Sequence, residues 1–179
     1  MSKNRYVEVN LNWHTRLLHP KLVTLIVTSL KSGRVNVMPA SWVTPTSVTP
    51  PLVTLALSPR RYTYEVLQQS REFTVNPVSR EMLELVEYTG SVSGREEDKV
   101  QRAGIKLIQA ETVSAPCIDG ALACIECRVW SQYPAGDHVL VVGQVLKALV
   151  LQEVWGNNTY ILEKAKPLFH VGGDSYVAF

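Results

Sequence analysis

The chain has 179 residues, of which 46% are hydrophobic and 19% are charged, and its formal net charge is +2 at pH 7. This length and balance predict one domain over residues 1–179 and exclude a disordered chain. The near-neutral charge argues against nucleic acid or an anionic membrane as a partner, because either would require a basic surface. Any bound anion must therefore be held locally, by a few placed groups.

Cellular location is judged from signals that the sequence lacks. The start, MSKNRYVEVNLNWH, contains no apolar segment with a cleavage site, so we expect a cytoplasmic protein. Residues 138–151 are the longest apolar stretch, and they are too short and too polar to span a bilayer. In this setting we expect Cys117, Cys124 and Cys127 as reduced thiols. The Cys124-x-x-Cys127 spacing lies in a strand pattern, where residues three apart point to opposite faces, and therefore indicates buried thiols and no redox or zinc site.

Strand patterns dominate the chain. Strands are predicted at residues 22–29, 34–38, 52–58, 71–77, 121–132, 138–149 and 168–179. Turns are predicted at residues 31–33, 134–137 and 157–159, and helical spacing occurs at residues 64–69, 79–88 and 96–102. Strands joined mostly by hairpins, with helices inserted between them, favour an antiparallel barrel or sandwich over a doubly wound parallel sheet.

Several common functional motifs are absent from the sequence. It contains no G-x-G-x-x-G after a strand and no G-x-x-x-x-G-K-S/T, which excludes the usual dinucleotide and P-loop fingerprints. The four histidines show no close metal-ligand spacing, so no metal site is predicted.

A segment rich in hydroxyl groups and prolines covers residues 39–50. Its side chains can donate and accept hydrogen bonds, its prolines restrict the backbone, and Trp42 and Val43 offer an apolar wall. The hydroxyl groups belong to Ser41, Thr44, Thr46, Ser47 and Thr49. Two interpretations stay open at this point, a solvated loop and a cradle for a planar ring.

The next polar segment opens a predicted helix. It carries Ser58, Arg60, Arg61 and Thr63. Free backbone N–H groups, the positive helix end and guanidinium groups together suit a phosphate. Alone, the segment would be read as a helix cap with two solvated arginines. Beside the hydroxyl-rich segment it indicates a ligand with a ring and a phosphate.

These segments resemble the flavin reductase-like family of FMN-binding split-barrel flavoproteins, of the ferric reductase and flavoredoxin type. Residues 19–76 contain the family's Ala-Ser after the second strand, Ser before Pro-Pro, Arg-x-Thr opening a helix, and Glu-Phe-x-Val-Asn strand, in that order. SGREEDKVQRAGI, GDHVLVVGQV and PLFHVGGDSY resemble three later family segments. The similarity covers almost the whole chain.

The resemblance implies a homodimer of six-stranded Greek-key split barrels with one FMN near the subunit interface. Residues 36–44 would flank the isoalloxazine, mainly through backbone groups. The cofactor-binding residues that it implies are Ser41, Trp42, Val43 and Thr44 at the ring, Ser58, Arg61 and Thr63 at the phosphate with Arg60 and Ser47 beside them, Lys99 and His138 at the open face of the flavin, from the same subunit or from its partner, and His170 and Tyr176 at the pocket edge.

The resemblance also implies that the chemistry belongs to the cofactor. Flavin accepts hydride and passes electrons onward, and the protein positions the ring. No residue is assigned as a catalytic acid, base or nucleophile. We expect NAD(P)H as a transient donor and a small molecule or protein as acceptor. Two alternatives remain: an FMN-binding electron-transfer protein without NAD(P)H reductase activity, and a β-barrel binding or interaction protein with a decayed flavin site.

Overall fold

The computed structural model describes residues 6–178, and β-strands are its main secondary structure. The strands are β1 (Lys21–Leu22), β2 (Thr24–Ser29), β3 (Val35–Ala40), β4 (Val43–Ser47), β5 (Leu52–Leu57), β6 (Glu72–Pro77), β7 (Leu107–Ile108), β8 (Cys117–Ile118), β9 (Ala123–Ala135), β10 (His138–Val150), β11 (Trp155–Gly156), β12 (Thr159–Tyr160), β13 (Leu168–Gly172) and β14 (Ser175–Ala178).

Short helices connect and cover these strands. They are α1 (Tyr62–Ser70), α2 (Leu83–Ser91), α3 (Lys99–Ala103) and α4 (Leu162–Ala165), with 3-10 helices at Leu11–Leu18, Arg80–Met82 and Gln152–Val154. The Asp98 side chain caps α3 by accepting from Gln101 N at 3.0 Å. Within residues 6–178, no helix combines the length and apolar character needed to cross a membrane.

Seven strands form the main sheet, in the order β3-β2-β6-β9-β10-β5-β4, and every neighbouring pair is antiparallel. β3 and β4 stand at opposite edges of this sheet, although only Ser41 and Trp42 separate them in sequence. The sheet must therefore curl round so that its two edges meet at these residues. The predicted mainly β, antiparallel barrel is confirmed, with seven strands in the sheet where six were expected.

The additional strand is β4, which lies in the segment that sequence analysis left open as a solvated loop. Val43 pairs with Leu55 and Thr44 with Thr54 across β4 and β5. β4 is an edge strand, so Pro45 can occupy it without removing a ladder hydrogen bond from the interior of the sheet. The loop interpretation was therefore wrong for these residues, because edge pairing tolerates a proline that weakens the strand pattern.

Two apolar clusters lie on opposite faces of β2, all six of whose residues are buried. Leu25 and Val27 belong to the cluster beneath α2, whereas Ile26 packs with Phe73 on the other face. A Cβ atom at Gly143 would lie 2.5 Å from the Phe73 ring, so only glycine allows this contact. Alternation along β2 thus places one core on each side of the sheet.

The predicted hairpins are confirmed, and the helix boundaries shift. β2 pairs with β3 and β9 with β10, while Asn157 and Asn158 form the turn between β11 and β12 with φ values of 51° and 59°. The helix predicted at residues 79–88 is divided into the 3-10 helix Arg80–Met82 and α2. The 3-10 helix Leu11–Leu18 was not predicted, and none of its residues is buried.

The expectation of three reduced cysteines was wrong. Cys117 and Cys124 form a disulfide with a Cα–Cα separation of 5.7 Å. The chain folds back between them and brings β8 beside the start of β9, which the sequence pattern did not reveal. Cys127 is the free thiol, and it is buried in the cluster around Phe73. Burial, reinforced by Glu126, raises the pKa of this thiol to about 12, so it is unreactive near neutral pH.

Candidate functional site

A cavity of about 1100 Å³ opens where the two edges of the main sheet meet. It lies between the end of β3, the start of α1, the end of α2 and the β13–β14 hairpin. Its wall includes most of the predicted site residues: Ser41, Trp42, Ser58, Arg60, Arg61, Thr63, Lys99, His138, His170 and Tyr176. The fold thus brings together residues that are widely separated in sequence.

Three predicted residues lie outside the cavity wall. Val43 packs against the apolar cluster around Phe73, and Thr44 is exposed on β4. Ser47 pairs with Leu52 at the end of the same edge strand. Strand formation by β4 carries these side chains away from the cavity, which the loop interpretation did not anticipate.

The start of α1 forms one end of the cavity. Arg61 is its N-cap residue and has extended backbone angles, and no side chain caps the helix there. The first N–H groups of this nine-residue helix are therefore available to an anion. Ser58 accepts a hydrogen bond from Arg60 N at 3.4 Å, and both arginine side chains are exposed. This end of the cavity suits a dianionic group.

Thr63 lies in the cavity wall, and it makes a contact that the sequence did not predict. It is buried, and its Oγ1 accepts a hydrogen bond from Asn36 Nδ2 at 2.9 Å. Asn36 also fills the space in front of Gly94, where a Cβ atom would lie only 2.1 Å from Asn36 Oδ1. Thr63 therefore positions the amide of Asn36 in addition to lining the cavity.

Arg95 was not predicted from the sequence, and it stabilises the same end of the cavity through hydrogen bonds. Arg95 Nε and Nη2 donate to Glu65 Oε2 at 3.1 and 3.0 Å, and Nη1 donates to the Arg60 carbonyl at 3.2 Å. Its guanidinium also lies 5.3 Å from the Tyr62 ring centroid. Arg95 thereby ties the loop before α3 to the start of α1. The segment SGREEDK, which resembles a family segment, could have indicated Arg95, but only Lys99 was selected from it.

Lys99 lies in the buried part of the cavity wall. Its Nζ donates to the carbonyl oxygens of Val37 at 3.0 Å and Thr89 at 2.5 Å. Burial is the main cause that lowers the pKa of Lys99 from 10.5 to about 8, and Arg61 contributes in the same direction. An ammonium has three donors, so one remains for a ligand.

An aromatic pair forms another part of the wall. The Trp42 and His138 rings are 5.0 Å apart and tilted by 33°. His138 Nδ1 lies 2.8 Å from Asp137 Oδ1, and this hydrogen bond lowers the pKa of the exposed Asp137 carboxyl. The pair offers an aromatic surface beside a polar edge.

His170 lies on β13, where sequence reasoning did not identify all its neighbours. Its ring is 5.4 Å from Tyr176 and 4.9 Å from His19, a residue not selected from the sequence. Ser41 Oγ lies 3.1 Å from His170 Nδ1. Burial raises the pKa of Tyr176, and the carboxylates of Glu87 and Asp174 add to this effect, so its phenol stays protonated. No group of three or more possible metal ligands occurs within residues 6–178.

Comparison with other proteins identifies relatives along nearly the whole chain. Residues 16–173 match the family described as the flavin reductase like domain. A protein of Pyrococcus abyssi is 37% identical, over 92% of this chain and 93% of its own length. A protein of Aeropyrum pernix is 32% identical over 88% of this chain, and the match spans 59% of that longer protein.

Solved structures share the same fold. An FMN-binding protein from Thermus thermophilus with bound 1-cyclohex-2-enone has a TM-score of 0.80 and 28% identity, covering 99% of this chain and 95% of that one. Flavoredoxin from Methanosarcina acetivorans has a TM-score of 0.87 and 25% identity, covering 98% of this chain and 92% of that one.

Proposed function

Because this chain belongs to the flavin reductase-like family, we propose that it is an FMN-dependent oxidoreductase that takes electrons from NAD(P)H and passes them to flavin or another small acceptor. The main support for this proposal is that an uncapped helix start, two arginines and an aromatic pair all line the same cavity. An anion and a planar ring are therefore accommodated together.

The residues present fit FMN at both ends of the cavity. Ser58, Arg60 and Arg61 would hold the phosphate with the first N–H groups of α1. Trp42 and His138 would contact the ring, which supplies the hydride and electron-transfer chemistry when it is bound. The FMN-binding protein of Thermus thermophilus, with its similar fold, supports this assignment.

Lys99 would stabilise negative charge on the bound ring or phosphate. Two of its three donors are used by backbone carbonyls, which fix the direction of the third. Its lowered pKa reflects the cost of holding an ammonium in this wall, and a nearby anion would offset that cost. No side chain is assigned the role of nucleophile, since the proposed chemistry does not require one.

We also propose a homodimer with the cavity near the subunit interface. Support comes from the exposed apolar side chains of the long β9–β10 hairpin. Tyr133 and Leu140 are directly paired across these strands, and they expose 57% and 36% of their surface. Adjacent exposed apolar residues are typical of contact surfaces.

An electron-transfer protein without NAD(P)H reductase activity is the second candidate, and the similarity to flavoredoxin favours it. A binding or interaction protein with a decayed flavin site is the third. Purified protein should turn yellow with FMN and retain it through gel filtration. Protein that stays colourless after incubation with FMN would exclude both flavoprotein functions.

Anaerobic stopped-flow absorbance separates the first two candidates. We expect NADH or NADPH to bleach the bound flavin within seconds, and a panel of acceptors to restore its colour. A flavin that is retained but not bleached by either nucleotide would favour the electron-transfer protein.

A further inference from the structure

A hydrogen bond between Ser41 and His170 lies on the wall of the cavity. Ser41 Oγ is 3.1 Å from His170 Nδ1, and His170 Nε2 is 2.8 Å from the Gly173 carbonyl oxygen. A carbonyl oxygen can only accept, so Nε2 carries a proton. In the neutral imidazole, Nδ1 is then an acceptor and the Ser41 hydroxyl must be the donor. In this state Ser41 presents only lone pairs to the cavity.

Protonation of His170 reverses this bond. Both ring nitrogens of an imidazolium are donors, so Nδ1–H donates to Ser41 Oγ. The Ser41 O–H group then no longer takes part in this hydrogen bond. Within residues 6–178, Ser41 Oγ has no second hydrogen-bond partner. The Ser41 O–H group is therefore free to rotate towards an acceptor in the cavity. The same side chain is an acceptor in one charge state of His170 and a donor in the other.

Charged and titratable groups of both signs surround His170. Lys21 pairs with it across β1 and β13, and the Arg16 guanidinium lies against Gly172. Both are cations, and the His19 ring lies 4.9 Å from His170. The carboxylates that line the cavity nearby belong to Asp174 and Glu87. Imidazole is the side chain that changes charge nearest to neutral pH.

We propose that Ser41 and His170 form a hydrogen-bond switch that sets which ligands the cavity prefers. With His170 neutral, Ser41 accepts from an N–H group. With His170 protonated, Ser41 donates to a carbonyl group on the bound ring. This inference rests on the proposed flavin site and assigns it a specificity-determining pair, Ser41 contacting the ring and His170 positioning its hydroxyl.

Riboflavin is the probe for the test because it carries ring carbonyls but no titrating phosphate. Its dissociation constant is measured by fluorescence from about pH 5 to pH 8 for wild type and Ser41→Ala. We expect Ser41→Ala to weaken binding about two- to tenfold at low pH and little at high pH, the effect of one neutral hydrogen bond. The midpoint should coincide with the His170 titration followed by ¹⁵N NMR.

Two further variants sharpen the test. His170→Asn cannot become charged, so in that background the effect of Ser41→Ala should be independent of pH. Ser32→Ala removes a hydroxyl outside the cavity wall and should match wild type throughout. NMR should also show the Nε2–H tautomer of neutral His170.

The outcomes separate the two proposals. A pH-independent effect of Ser41→Ala, or an Nδ1–H tautomer, would overturn the switch while leaving FMN binding intact. If riboflavin binds too weakly, the same ratio is measured with FMN, since its phosphate ionisation is common to both proteins and cancels. If the wild-type protein binds neither riboflavin nor FMN, the flavin assignment is overturned, and the proposed switch with it.

Discussion

The Nζ atom of Lys99 lies 2.5 Å from the carbonyl oxygen of Thr89, inside the wall of the cavity. Lys99 is only 4% exposed, so its ammonium has lost most of its hydration. The two carbonyl oxygens that it contacts replace part of that hydration. This arrangement makes the contribution of Lys99 to the stability of the ligand-free protein depend on pH in the alkaline range.

We expect the contribution of Lys99 to the stability of the ligand-free protein to increase as pH rises from about 8 to 10.5. The folded chain releases the Lys99 proton near pH 8, whereas the unfolded chain keeps it to about 10.5. At this site the unfolded state binds more protons between these values, so Lys99 raises the free energy of unfolding by up to about 1.4 kcal/mol per pH unit. In urea unfolding, the slope of the free energy of unfolding against pH should be more positive by this amount in wild type and Lys106→Met than in Lys99→Met. An unchanged slope in Lys99→Met would contradict the assignment.

Arg61→Ala should weaken FMN binding far more than riboflavin binding, because only FMN has the phosphate charge. A charge-assisted hydrogen bond contributes about 1.5–3 kcal/mol, or roughly a 10- to 150-fold change in the dissociation constant. Isothermal titration with both ligands measures the difference. Arg80→Ala, which removes an arginine outside the cavity wall, serves as control. Equal losses for the two ligands would show that Arg61 does not contact the phosphate.

Trp42→Ala should weaken FMN and riboflavin by the same factor. The Trp42 ring lies against His138 and would contact the part that both ligands share. Loss of an aromatic contact of about 0.5–1.5 kcal/mol predicts a roughly two- to tenfold weaker affinity for each. Trp155→Ala is the matched control, because Trp155 packs on Tyr160 away from the cavity. A selective loss of FMN would place Trp42 at the phosphate instead.

Thiol counting should distinguish the cysteines. Protein unfolded without reductant should expose one reactive thiol, Cys127, and reduction should expose all three. The folded protein should react slowly, because burial raises the pKa of Cys127 to about 12. The Cys117–Cys124 bond closes a short loop, so Cys117→Ser should lower the free energy of unfolding by about 2 kcal/mol. If three thiols react in unfolded protein without reductant, the disulfide is absent and all three cysteines are reduced.

Much of the fold could be predicted from the sequence, because strand signals are local. The β-rich run at residues 22–29, the turn residues at 31–33 and the alternation at residues 34–38 define the β2–β3 hairpin without any distant contact. β4 could not be predicted in the same way. Its pairing with β5 stabilises an edge strand that is interrupted by Pro45, a poor strand former.

The sequence by itself determined that this is an antiparallel β protein with ring-contacting and phosphate-binding residue types in adjacent segments. Those properties follow from composition, period and the order of motifs. Only the tertiary structure placed Ser41 beside His170, 129 positions away, and Lys99 beneath Thr89. It also excluded Val43, Thr44 and Ser47 from the cavity wall. Contacts of this kind depend on how the sheet curls and which strands meet, and no local pattern of residues specifies that closure.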